Sequence, residues 1–336
     1  MDLSLSNEQR QLVDSFAALY MRESTSERVR AAEPSGFDPV LWQALLATGA
    51  VEMAGDTDSG ASELDLALIA EQSGRALASA PIIEAQAAAR LLAGCGDPGA
   101  ELLRSVLAGE KLVSFAPRAA HGDVLGLVPA GAVADAVVAL VGERLVAVSL
   151  GGDRRLVQNL GSLPLADVTV GDDATVLAEG DRAQTLFSGA LDLWLTLTAS
   201  ALAGVAKKAV ELGVEYAKQR HAFGAPIGSF QAVSHPLADS ATAADGALLL
   251  AFEAACAFVD EPQRVKELAA MAFAFAYETA RDATQRSLHI HGGYGFGMEG
   301  DVQLYYRRAR GWAMVFGESL VALDRVAEAR YGAAAS

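Results

Sequence analysis

Through residues 1–110, apolar residues recur at three- and four-residue steps, the period of helices that bury one face. Asp38-Pro39 supplies an N-cap side chain followed by proline at the first helical position. Val40, Leu41, Leu45 and Leu46 carry the apolar stripe of that helix, and Gly49 ends it. A further helix is predicted from near Ser62, with Glu63 and Asp65 in its first turn and Leu66, Leu68 and Ile69 behind them. Pro81 opens another, through Ile82 and Ile83. Residues 111–180 change to short β-prone runs punctuated by glycine. Val137 to Val141, then Gly142-Glu143-Arg144, then Leu145 to Val148 read as a hairpin, and Val168-Thr169-Val170 as another strand. The helical period returns over residues 181–336 in four segments, Thr185 to Gln219, Phe230 to Val259, Val265 to Ile290 and Asp301 to Tyr331, which suits a helical bundle. The chain is therefore expected to be mainly α with a central β domain.

Composition narrows the picture. A length of 336 residues allows two or three domains. Hydrophobic residues make up 52% and charged residues 20%, yet no charge-free apolar run long enough for a membrane span is read, so no membrane is expected. The opening Met1-Asp2-Leu3-Ser4-Leu5-Ser6 lacks the basic and apolar regions of a signal peptide, and Cys95 and Cys256 suggest no disulfide framework, so a reducing cytoplasm is expected. The formal charge of −16 disfavours nucleic acid, whose phosphates would be repelled. Neither cysteine has a His or Cys at metal-ligand spacing, so structural roles and no metal are expected.

Two runs carry chemistry. In Arg220-His221-Ala222-Phe223-Gly224-Ala225-Pro226-Ile227-Gly228-Ser229-Phe230-Gln231, Arg220 follows a helix ending in Tyr216 to Gln219, so its guanidinium can project from that end. A guanidinium suits a pyrophosphate because its planar donors reach two oxygens and its charge is permanent. In His289-Ile290-His291-Gly292-Gly293-Tyr294-Gly295-Phe296, Gly292 and Gly293 let a ligand approach the backbone.

Together these runs closely resemble the C-terminal signatures of the acyl-CoA dehydrogenase family, and the resemblance spans nearly the whole chain. The opening Met1 to Arg10 also resembles the family's N-terminal helix. The resemblance implies the family fold, with an N-terminal helical domain at 1–110, a small β-barrel-like domain at 111–180, shortened here, and a C-terminal four-helix bundle at 181–336. It implies FAD shared across a subunit interface, with Arg220 on the neighbour's pyrophosphate, Phe223, Ile227, Phe230 and Gln231 around the adenosine half, and His289, Ile290, Gly292 and Gly293 beside them. The family usually has glutamine where His289 stands; either side chain can hydrogen-bond a cofactor oxygen.

The family abstracts a proton α to a thioester carbonyl with a glutamate. Its two usual places correspond to Phe316, before Gly317, and to about Trp194, and neither side chain can take a proton. Asp192 and Glu318 are the carboxylates beside these places; solvated or capping roles are expected for both. The family's Thr-Glu-Pro-x-Ala-Gly-Ser-Asp-like segment, which meets the flavin ring and thioester, corresponds to the poorly matching Val113 to Asp123. What a subunit lends to its neighbour is intact, while what it needs for its own catalysis is absent. The sequence looks like the short noncatalytic subunits of actinobacterial α2β2 steroid side-chain dehydrogenases. That implies a paralogous full-length partner holding the acyl-CoA, and an electron-transferring flavoprotein as acceptor. Two alternatives stay open at this point, a self-sufficient homo-oligomeric acyl-CoA dehydrogenase with an unusual base and a flavin-free scaffold.

Overall fold

The computed structural model describes residues 4–56, 60–152 and 154–332. Met1 to Leu3, part of the opening segment compared with the family's first helix, lie outside the described residues. The helices are α1 (Asn7–Glu23), α2 (Ser26–Ala32), α3 (Pro39–Leu46), α4 (Glu52–Gly55), α5 (Glu63–Arg75), α6 (Ile82–Cys95) and α7 (Asp97–Leu107), then α8 (Gly180–Gln219), α9 (Gln231–Asp260), α10 (Val265–His291), α11 (Gly293–Phe296), α12 (Val302–Met314) and α13 (Ser319–Tyr331). The strands are β1 (Val113–Phe115), β2 (Val124–Val128), β3 (Ala136–Val141), β4 (Arg144–Ser149), β5 (Ala166–Thr169) and β6 (Thr175–Glu179), with the short pair β7 (His221–Ala222) and β8 (Ala225–Pro226). Local signals start these elements as expected: the Asp38 carboxylate accepts from the amides of Val40 and Leu41, at 2.9 and 3.1 Å, capping α3.

One compact unit comprises Glu27–Leu66 and Ser79–Leu195. Its four-stranded sheet has the order β1-β3-β4-β6, with β1 parallel to β3 and the other pairs antiparallel, and β2 pairs with β5 in a second sheet. Val137, Ala139, Val146 and Val148 on alternate positions of β3 and β4 pack with Leu125, Val128 and Val168 of the second sheet, so the period of two places one apolar face against another. Gly142 turns the β3–β4 hairpin at φ +59°.

The other unit holds the rest of the described chain and is a bundle of long helices. Within it α5 and α8 meet backbone to backbone. A Cβ on Gly74 would lie 1.9 Å from the Ala201 carbonyl oxygen, and one on Gly204 would lie 2.2 Å from that of Glu71. Further along, α8 runs parallel to α10: Gly213 faces Ser287, and one turn on Tyr216 faces His291. The last segment, expected as one helix, is two, because the chain leaves helical geometry at Gly317, whose φ of +135° disfavours any side chain.

Two helices, α8 and α9, hold stretches apolar and long enough to cross a membrane by composition and length, which revises the expectation that no segment qualifies. In α8 that stretch is 83% buried within the fold, so the core accounts for its apolarity; in α9 the figure is 39%.

Candidate functional site

The bundle brings the two runs to one end. Where α8 stops, the Arg220 amide donates to the Tyr216 carbonyl at 2.8 Å, and the Arg220 carbonyl accepts from the Ile227 amide at 2.8 Å. Between them β7 and β8 form a two-residue hairpin in which Ala222 pairs with Ala225. Phe223 and Gly224 occupy its tip at φ +52° and +80°, the combination of a type I′ turn. Phe223 is 97% exposed, touching the Phe230 ring edge to face at 6.2 Å. Such backbone costs a phenylalanine about 1 kcal/mol or more, and exposure returns nothing within the chain. Phe230 stands at the N-cap of α9 without a side-chain cap bond; Arg220 and Gln231 are exposed and Ile227 is half-buried.

At the same end α10 closes with His289, Ile290 and His291, and Gly292 at φ +60° ends it. A side chain at Gly292 is excluded by backbone conformation alone. Gly293 is informative in another way: nothing lies within 4 Å of where its Cβ would be, so a ligand has room over that backbone. A cleft of about 440 Å³ lies between the first turns of α9, at Ala232 and Pro236, and the end of α10, at Arg286, His289 and Ile290, with Phe296 and Tyr306 on its wall. Its size suits a small-molecule fragment. Arg286 donates to the Ser240 hydroxyl at 3.0 Å, and the Arg310 guanidinium lies 3.7 Å over the Tyr306 ring. Arg286, which lines the apolar cleft, and Arg310, which stacks on its wall residue Tyr306, were not singled out from sequence; only the packing of α9, α10 and α12 gathers them.

The places of the usual base are filled. Phe316 is buried, edge to face on Phe273 at 5.6 Å and 81°. Trp194 is 2% exposed and its Nε1–H donates to Glu84 Oε1 at 3.2 Å. Burial pushes the Glu84 carboxyl above the usual carboxylate range, opposed by hydrogen bonds from its own amide and from Trp194. Nothing in the sequence singles out Glu84, because an acid in a first helical turn favours the helix dipole and is common there. One expectation needs correction. Asp192 is buried rather than solvated, because α8 is enclosed on most sides there. Glu318 stands at the N-cap position of α13 without a cap bond, a glutamate being a methylene too long for the usual cap geometry, and its side chain is exposed, which is the solvated one of its two expected roles.

In the segment matched poorly to the family's flavin-ring motif, the Ser114 hydroxyl donates to the Pro129 carbonyl and Phe115 packs on Phe187 at 5.5 Å. Those groups are engaged by the fold itself. The Cys95 thiol is pushed up to about 11 by burial, with Arg182 opposing, as suits a structural cysteine.

The chain matches the family model described as acyl-CoA dehydrogenase, C-terminal domain, over residues 187–330. It is 31% identical to the acyl-CoA dehydrogenase IpdE2 of Mycolicibacterium smegmatis, over 96% of this chain and 98% of that one. It is 32% identical to the acyl-CoA dehydrogenase FadE34 of Mycobacterium tuberculosis, over 80% of this chain and 38% of that one. Among solved structures, the ChsE4-ChsE5 complex of Mycobacterium tuberculosis superposes with a TM-score of 0.87 at 23% identity, covering 100% of both chains. The Tcur3481-Tcur3483 steroid ACAD G363A variant gives 0.87 at 24%, covering 97% and 98%. The solved structures share the fold, and identity above 30% along nearly all of IpdE2 extends the likeness to sequence. This chain belongs to the acyl-CoA dehydrogenase family, whose members are FAD flavoproteins.

Proposed function

We propose that this chain is the noncatalytic subunit of a heteromeric FAD-dependent acyl-CoA dehydrogenase. In this reading it lends its bundle end to the flavin of a paralogous subunit, which supplies the glutamate and the acyl-CoA pocket. One observation carries the reading: the two lending runs lie at one end of the bundle with Arg220, Phe223, Phe230, Gln231 and His289 exposed, while the positions of the usual base hold buried Phe316 and Trp194. Two structural neighbours, one a complex of two different chains and one a steroid enzyme, support an α2β2 assembly and a steroid-CoA substrate desaturated at its α,β bond. The layout 1–110, 111–180 and 181–336, the cytoplasm, and electron transfer to an electron-transferring flavoprotein belong to the same proposal.

The residues fit the cofactor. The exposed Arg220 guanidinium would pair with the pyrophosphate, the Phe223 and Phe230 rings would pack on the adenosine half, and the open backbone at Gly293 would admit it. His289 at the cleft would hydrogen-bond a cofactor oxygen, and Ile227, Gln231, Ile290 and Gly292 complete the contact face. FAD would supply the hydride acceptor. Abstraction of the α proton is assigned to the partner, since neither an indole nor a phenyl ring is titratable in that role.

Native mass spectrometry of the tagged chain purified from its own host tests this. The expected result is a heterotetramer with two FADs, one per pair of chains, and Arg220→Ala should lower FAD affinity roughly 30-fold, the worth of one charge-assisted hydrogen bond of about 2 kcal/mol. A homo-oligomer with one FAD per chain would overturn it.

A further inference from the structure

Arg220 follows the end of α8 and His289 stands in the last turn of α10, yet in the proposed function they meet one nucleotide. Each sits at a helix C-terminus, where the last turn lacks following hydrogen bonds and frays most readily. Something must hold the two last turns in register.

The Tyr216 and His291 rings meet between those turns. They stack at 4.3 Å with planes 26° apart, and both residues are half-buried. Tyr216 is one turn before Arg220 and receives its amide at 2.8 Å. His291 lies two residues beyond His289. Its Nδ1 is 2.7 Å from the Ser287 carbonyl oxygen, an acceptor only, so Nδ1 carries the proton and the ring orientation is held. One turn earlier the helices approach closely: a Cβ on Gly213 would lie 2.9 Å from Ser287 Oγ. That hydroxyl is buried without a hydrogen-bond partner, so Ser287 serves there by being small. Neither Tyr216 nor His291 lines the cleft beside His289.

We propose that the Tyr216–His291 stack is a positioning clamp that sets the spacing of Arg220 from the His289–Gly293 turn, and so governs how tightly the neighbour's flavin nucleotide is held. The proposal rests on the subunit reading above. Both residues are positioning residues and touch no cofactor atom.

The test titrates FAD into the flavin-free complex of this chain with its partner. His291→Ala and Tyr216→Ala should each weaken FAD roughly three- to tenfold, the range of one aromatic pair. The double variant should be no weaker than the stronger single effect by more than about twofold, because one contact is lost only once. His291→Phe, which keeps a ring to stack, should bind within about twofold of wild type, and melting of the flavin-free complex should change little across the set. Arg220→Ala separates the two claims. If it leaves FAD affinity unchanged, the subunit reading falls and the clamp with it. If it weakens FAD while His291→Ala binds as wild type, the clamp alone is refuted. Additive effects, or a loss in His291→Ala that His291→Phe does not recover, would also refute the clamp.

Discussion

Replacing Phe223 with asparagine separates what this residue does for its own chain from what it does outside it. The wild-type ring stands 97% exposed on a turn with φ +52°, so its removal forfeits little burial. Asparagine tolerates that backbone, recovering about 1 kcal/mol of strain. Against this stands the edge-to-face contact with Phe230, at most about 1 kcal/mol for so exposed a pair. The two nearly cancel, so the melting temperature of the flavin-free chain should move by less than about 2 °C. In the assembly the balance differs. If the ring is buried against the neighbour's flavin and its surroundings, its loss costs about 2 kcal/mol, and FAD retention in the complex should fall roughly 30-fold. Calorimetric melting of the flavin-free chain and fluorimetric FAD titration of the complex read the two effects. A drop of several degrees would make Phe223 a packing residue of its own fold, and an unchanged FAD affinity would remove it from the proposed contact face.

Other substitutions probe the scaffold. Gly204→Ala drives a methyl to 2.2 Å from the Glu71 carbonyl oxygen, so α5 and α8 must separate; circular dichroism melting should show a loss of at least about 3 kcal/mol, and a smaller loss would mean the helices yield easily. Burial raises the Glu84 carboxyl, so between the usual carboxylate range and its raised value the folded state binds more protons than the unfolded one, and stability falls as pH climbs through that window. Glu84→Gln keeps an acceptor for Trp194 and removes this fall. Urea midpoints followed by tryptophan fluorescence should therefore drift in the variant's favour as pH climbs above the usual carboxylate range, whereas a pH-independent difference would count against the assignment. Near neutral pH iodoacetamide should label Cys256 and spare Cys95, whose thiol stays protonated until the fold is opened; rapid labelling of Cys95 in the native protein would contradict its burial.

Much of this molecule can be read from local sequence. The Asp38 cap, the α3 stripe and the β3–β4 hairpin follow from signals within a few residues, because caps, turns and periodicity act over one turn of chain. The lending runs and the missing base were legible as residue types. Tertiary structure decided the rest. The final helical segment breaks at Gly317, where a positive φ interrupts a pattern that periodicity alone carries through. Asp192 is buried by neighbours that no spacing rule names, and Trp194 finds Glu84 on a helix remote in sequence. Arg220 and His289 share one end because α8 and α10 run parallel at their C-terminal turns, with small residues at Gly213 and Ser287 letting them close and the Tyr216–His291 stack completing the contact. Such placements sum packing over the whole bundle, and a local pattern of apolar and polar residues cannot specify which distant turns will meet.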